Sequence, residues 1–140
     1  MNQTAELQRF ATYGMTGVIW IVQLVHYPSF GYVAADRFAA FSQFHRASIG
    51  LVVMPLMLLE AITAVLLLTR SGPGTPRPAF LLNVILLVLI WGITFFISVP
   101  LHEKLAHGFD AQSIHRLTQT NWLRTALWSV RSGLLFIVLR

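Results

Sequence analysis

The sequence predicts an all-α fold: a four-transmembrane-helix antiparallel bundle made of two helical hairpins joined by a Pro/Gly-rich linker. Three observations lead there. Of the 140 residues, 56% are hydrophobic and 11% charged, with a mean hydropathy of +0.68, which leaves too little polar surface for a water-soluble domain of this size. The apolar excess gathers into four stretches, each near the roughly 20 helical residues that cross a hydrocarbon core of about 30 Å. Between the second and third, TRSGPGTPRPAF at 69–80 holds Pro73, Pro76 and Pro78 with Gly72 and Gly74, a composition that breaks helix.

Taken in order, the first helix is expected over 11–33. Its lead, MNQTAELQRFATYGMTGVIW, has one Arg, an acidic residue and no small-residue cleavage site behind a short apolar core, so it is expected to be retained rather than removed as a signal. The second spans 49–68 and begins early at the membrane surface, with Asp36 as N-cap and Phe38, Phe41 and Phe44 at helical spacing. The third spans 79–101. PLHEKLAHG then reads as a compact helical segment, with Pro100 in its first turn, His107 in its last and Gly108 at C′, and Asp110 caps the next segment. The fourth spans 122–139. All 140 residues thus form one integral membrane domain, hairpins 11–68 and 80–139 flanking a linker at 69–79, expected to be multi-pass in a cell's inner or plasma membrane.

Charge and cysteine content exclude several functions. The net charge of +5 is scattered, without the basic stripe of a nucleic-acid binder, so no nucleic-acid partner is expected. Arg9, Arg70, Arg77 and Arg140 fall at one membrane side and Arg37, Arg46, Lys104, Arg116 and Arg124 at the other, a balance from which the positive-inside rule assigns no orientation. With no cysteine there are no disulfides or thiolate ligands, leaving His, Glu and Asp for any metal.

An up-down bundle places the end of helix one, the start of two, the end of three and the start of four on one side. His26, His45, His102, His107 and His115 all belong to those ends, so the histidines form one pole. Inside the bundle, Asn121, Arg124, Trp128 and Arg131 share one face of helix four. Thr94, Ser98 and His102 share one of helix three, and Gln23 and His26 one of helix one. By helical rise, Glu60 lies roughly 16 Å below Ile49 and Arg131 about 13 Å below Trp122, so the two should meet as an intramembrane ion pair.

Imidazoles at helix ends suit iron, copper or zinc, and the first shell expected is His26, His45 and His102, completed by Glu103 or His107. HEKLAH is not HExxH, and the alternative role for these side chains is hydrogen bonding to headgroups and caps. His115, beside Arg116, is expected to be solvated. Without a metal, His26 or His45 can act as a general base on an acidic C–H of a lipophilic molecule, with Arg124 or Arg46 holding the anion.

SVPLHEKLAHG at the end of helix three and NWLRTALWSVRSGLL in helix four resemble the anthrone oxygenase-like small membrane proteins, a family of four-helix proteins of similar length. Pro100, Trp128 and Arg131 carry over, which adds Arg131 to the catalytic candidates His26, His45 and Arg124. Where that family commonly has Asn after the proline, this chain has His102 and Glu103. The resemblance implies oxygenation of a polycyclic phenol.

The expected function is therefore that of a small membrane oxidoreductase or oxygenase with a histidine-rich, metal-binding or metal-free site at one membrane face, acting on a lipophilic small molecule. Two alternatives stand beside it. One is a haem-binding electron carrier clamped by two histidines, with His26 and His102 the pair to test. The other is a non-catalytic accessory subunit whose outer faces bind a partner membrane protein or a second copy of the chain.

Overall fold

The computed structural model describes residues 3–70 and 76–139, which form four helical rods with no strand among them. Rod one covers residues 3–32, rod two Phe38–Thr69, rod three Arg77–Leu105 and rod four Ala111–Val138. Each packs on its two neighbours in the ring one, two, three, four. Paired contacts at Arg9 with Leu139, Thr16 with Ser132 and Gln23 with Asn121 run in opposite directions along rods one and four, and Gln43 with Ala106 and Arg46 with Glu103 do the same where rods two and three meet.

The rods outrun the apolar stretches because hydropathy marks only what suits lipid, whereas helix continues wherever burial and caps allow. Rod one starts at Gln3, where Ala5, Gln8 and Ala11 turn inward, and rod four starts at Ala111, where Ser113, Ile114 and Leu117 do. Asp110 caps rod four, its carboxylate accepting from the amides of Gln112 and Ser113. Asp36 does not cap rod two. Arg37 holds that position without a side-chain bond, because the preceding turn already supplies the carbonyls of Ala34 and Ala35 to the amides of Arg37 and Phe38. The segment expected as separate after helix three is continuous with it, and Pro100 sits in the first turn after a π-helical stretch. Gly108, with φ at +155°, turns the chain toward rod four in a conformation that L side chains rarely adopt. Rod two ends at Thr69 and rod three begins at Arg77 with Pro78 in its first turn, so helix breaks where the linker was expected. Residues 71–75 lie outside the described residues.

Rods two and three are long and apolar enough to cross a membrane, with hydropathies of 2.5 and 2.7 in their most apolar windows. Polarity runs from inside to outside in the wrong order for water. Phe10, Leu51, Phe96 and Ile137, one from each rod, are 66%, 80%, 84% and 67% exposed, while Gln8, Glu60, Asn83, Asn121 and Arg131 are buried.

Two π-helical turns interrupt the rods, Val22–His26 in rod one and Thr94–Ser98 in rod three. Each adds a residue to one turn and shifts the register of the helix beyond it. Both flank the same interior space.

Candidate functional site

That space lies among rods one, two, three and four on the histidine side of the bundle, a cavity of about 150 Å³. Its walls are mostly hydrocarbon, from residues such as Met15, Ile19, Val53 and Met57. His45, His102, Tyr27, Trp91, Thr94, Ser98 and Arg124 supply the polar lining.

Three of the histidines assemble at this end, His45 and His102 lining the cavity and His26 packed on His45. Nε2 of His26 lies 2.6 Å from Nδ1 of His45, and the two rings are 4.3 Å apart by centroid. At that separation one nitrogen must present a lone pair to the N–H of the other, so the two imidazoles share one proton along the contact. The His102 ring stands 5.4 Å from His45, and its Nε2 meets the Tyr27 hydroxyl at 2.9 Å. Phe30 and Phe41 close around the cluster, with the Phe30 ring 5.3 Å from His26 and 5.2 Å from His45. His45 is 5% exposed and His26 only half-buried, so His26 links the enclosed ring to the outside.

Arg124 supplies the cation. It is 6% exposed, donates from Nη1 to Ser98 Oγ at 3.3 Å and to Asn121 Oδ1 at 3.2 Å, and its guanidinium lies 5.4 Å from the Trp128 ring centroid. Asn121 is in turn fixed by Gln23, whose Oε1 accepts from Asn121 Nδ2 at 2.9 Å. Among the described residues no carboxylate pairs with Arg124. Four acidic side chains pair elsewhere, Glu6 with Arg9, Glu60 with Arg131, Glu103 with Arg46 and Asp110 with Lys104.

No known protein family matches the chain, and no curated protein or solved structure does. The site therefore speaks through its chemistry.

Four buried polar atoms that make no hydrogen bond within the protein, Nε2 of His45, Nδ1 of His102, Nε1 of Trp91 and Nε of Arg124, belong to side chains that line the cavity. Such groups are costly to leave bare, at about 1–3 kcal/mol each. A bound molecule with oxygen atoms would satisfy them.

Of the expected metal shell, His26, His45 and His102 meet, while Glu103 and His107 are engaged elsewhere. Among the described residues, no group of three or more His, Cys, Asp or Glu could hold a metal ion. The reason is local. His26 and His45 spend a nitrogen each on one another, His102 spends one on Tyr27, the Glu103 carboxylate is held by Arg46 at 2.6 Å, and His107 bonds the Glu103 carbonyl at 2.9 Å. Glu103 and His107 are exposed, as is His115. The rings of His26 and His102 both pack on Phe30, 5.3 and 6.5 Å from it by centroid.

Arg131 sits apart from the cavity. Its Nη1 donates to Glu60 Oε1 at 2.7 Å and its Nε to Asn83 Oδ1 at 3.0 Å, while Trp128 Nε1 reaches both Glu60 oxygens at 3.1 and 3.2 Å. Glu60 and Arg131 are wholly enclosed, a desolvated pair that fixes rod two against rod four. Pro100 and Trp128 likewise shape the bundle without lining the cavity.

Sequence reasoning missed Tyr27 and Trp91. The available signal was that a phenol or indole inside an apolar helix needs a polar partner. Tyr27 lies four residues after Gln23 and Trp91 three before Thr94, so each extends a stripe already read on its helix, and only their aromatic character set them aside as packing.

Proposed function

We propose that this chain is a four-span membrane protein whose cavity takes a lipophilic carbon or oxygen acid of the phenol or enol class and removes its proton. The single observation that carries the reading is the pairing of a buried, carboxylate-free Arg124 with a proton-sharing His26–His45 contact on one apolar cavity. His45 takes the proton at its free Nε2, His26 relays charge toward the half-open pole, and Arg124 holds the anion. Tyr27 holds His102, which offers its free Nδ1 to the bound molecule. Four spans are supported by the apolar exposed faces on every rod and by the polar side chains turned inward.

Oxygenation is the reaction that the likeness of the second half to the anthrone oxygenase-like proteins adds. It balances as R₂CH₂ + O₂ → R₂C=O + H₂O, with the first proton leaving to His45 and dioxygen taking the electrons. The proton-abstraction step comes first and is testable alone. The purified protein in lipid nanodiscs is titrated with 4-nitrophenol at a pH where the free phenol is protonated. Appearance of the phenolate band on binding, lost in His45→Ala and in Arg124→Gln, is the expected result. A bound but uncoloured phenol, or a band indifferent to both substitutions, overturns the reading. Elemental analysis and a visible spectrum of the same preparations test the cofactor alternatives. Stoichiometric metal or haem that disappears in His26→Ala and His45→Ala would replace it with a metal or haem site, and a stable partner complex indifferent to the histidines would replace it with an accessory role.

A further inference from the structure

The cavity has a neighbour. A groove of about 390 Å³ runs along the outer seam of rods one and two, lined by His26, Phe41, Phe44, Ser48, Val52 and Ile21 among others. Val18, Val22, His45 and Ile49 line both spaces, so cavity and groove adjoin along the His45 side chain. Ile21, Phe44 and Val52 are 63%, 70% and 48% exposed, which opens the groove sideways rather than toward the poles. Its lining is hydrocarbon except at His26, His45 and Ser48.

The two spaces differ in size, and size limits what each can hold. An apolar cavity of about 150 Å³ is filled by one benzene ring. A fused three-ring body does not fit there. The groove is more than twice as large, narrow-walled and apolar, and a flexible chain can run along it.

We propose that the substrate is a single-ring phenol or quinol bearing a hydrocarbon tail, loaded sideways from the bilayer, with its ring in the cavity beside His45, His102 and Arg124 and its tail in the groove between rods one and two. This rests on the cavity being the substrate site, and it narrows the substrate from lipophilic acids in general to one ring with a tail. The tail is a partner for side chains that otherwise face only lipid, and because lipid is as apolar as the groove, what it gains there is close packing and a tether for the ring rather than withdrawal from water. Ring and tail are then held on opposite sides of the imidazole that takes the proton.

The test uses 4-decylphenol carrying a diazirine at the tail end, photolysed with the protein in nanodiscs and mapped by mass spectrometry, with 4-methylphenol and anthrone as competitors. Saturable labelling is expected at Ile21, Phe44 or Val52. Val52→Trp, which fills the groove from an exposed position and leaves the cavity lining untouched, should reduce that labelling about tenfold. 4-Methylphenol should still bind the Val52→Trp variant as it binds the wild type, which also shows the variant to be folded. Anthrone should not displace the probe. Labels falling elsewhere on the rods, labelling indifferent to Val52→Trp, or displacement by anthrone at concentrations where 4-methylphenol works would each overturn the single-ring, tail-in-groove reading while leaving the cavity as the site. Absence of saturable labelling and of 4-methylphenol binding in the wild type would overturn the site itself.

Discussion

Arg124 and Arg131 lie two helical turns apart on one face of rod four and do opposite things. Arg131 has an indole-anchored carboxylate and an amide around it, whereas Arg124 has hydroxyl, amide and ring contacts and no carboxylate. Depth along the helices is enough to find the Glu60–Arg131 partnership from sequence, because helical rise is constant and an enclosed ion needs its counter-ion. It does not tell an arginine paired to a carboxylate from one that is not, since both look alike in a series of polar steps. The difference has a measurable form. Glu60→Gln or Arg131→Gln leaves one buried charge alone, and each should lower stability by about 3–5 kcal/mol in thermal unfolding of the detergent-solubilised protein. Glu60→Leu combined with Arg131→Leu should recover most of that loss, and phenolate formation per folded molecule should survive in all three.

Among the elements, the link from rod three to rod four depends on Asp110. The Lys104 ammonium first, and the Ser113 hydroxyl and amide after it, hold its carboxyl at about 2, below the ordinary 3.8. A carboxylate favoured in the folded state contributes stability that is present above the ordinary value and lost as the pH falls toward the folded one. Thermal midpoints measured from pH 5 downward should therefore drop between about 4 and 2 in the wild type. Asp110→Asn, which keeps an acceptor for the amides and gives up the Lys104 pair, should flatten that drop and start from a lower midpoint. The cap itself was legible, because an Asp two residues after a glycine and ahead of helix-forming residues has few other uses. The Asp36 cap looked equally good in sequence and failed, as backbone turn carbonyls had taken the amides it would have served. Least legible of all were the π turns. Steps of three and four assume a constant period, and nothing in VQLVH or TFFIS marks the added residue. Thr94, Ser98 and His102 reached one cavity nonetheless, since a step of four tolerates one slightly wider turn.

For the molecule as a whole, connectivity alone gathered the histidines at one pole, but only packing could show that His45 and His102 line one cavity with His26 against His45, while His107 and His115 stay outside. The orientation of that pole is open to a direct test, because the chain has no cysteine of its own. With four spans, cysteines placed at Asp36 and His107 should react with an impermeant maleimide from one side of sealed vesicles. Cysteines at Thr69 and Arg77 should react only from the other side. Labelling of all four from a single side would mean that the bundle lies on the membrane or crosses it fewer times. The two π turns carry a further meaning when the chain is considered as the product of descent. Each amounts to one inserted residue in a helix that would be better bonded without it, and each falls beside the cavity. Removing one residue from Val22–His26 should regularise rod one and turn His26 by about 100° away from His45. A relative shortened by one residue there would keep the bundle and lose the proton-sharing contact, so the length of that short segment separates chains with this site from chains that share only its scaffold.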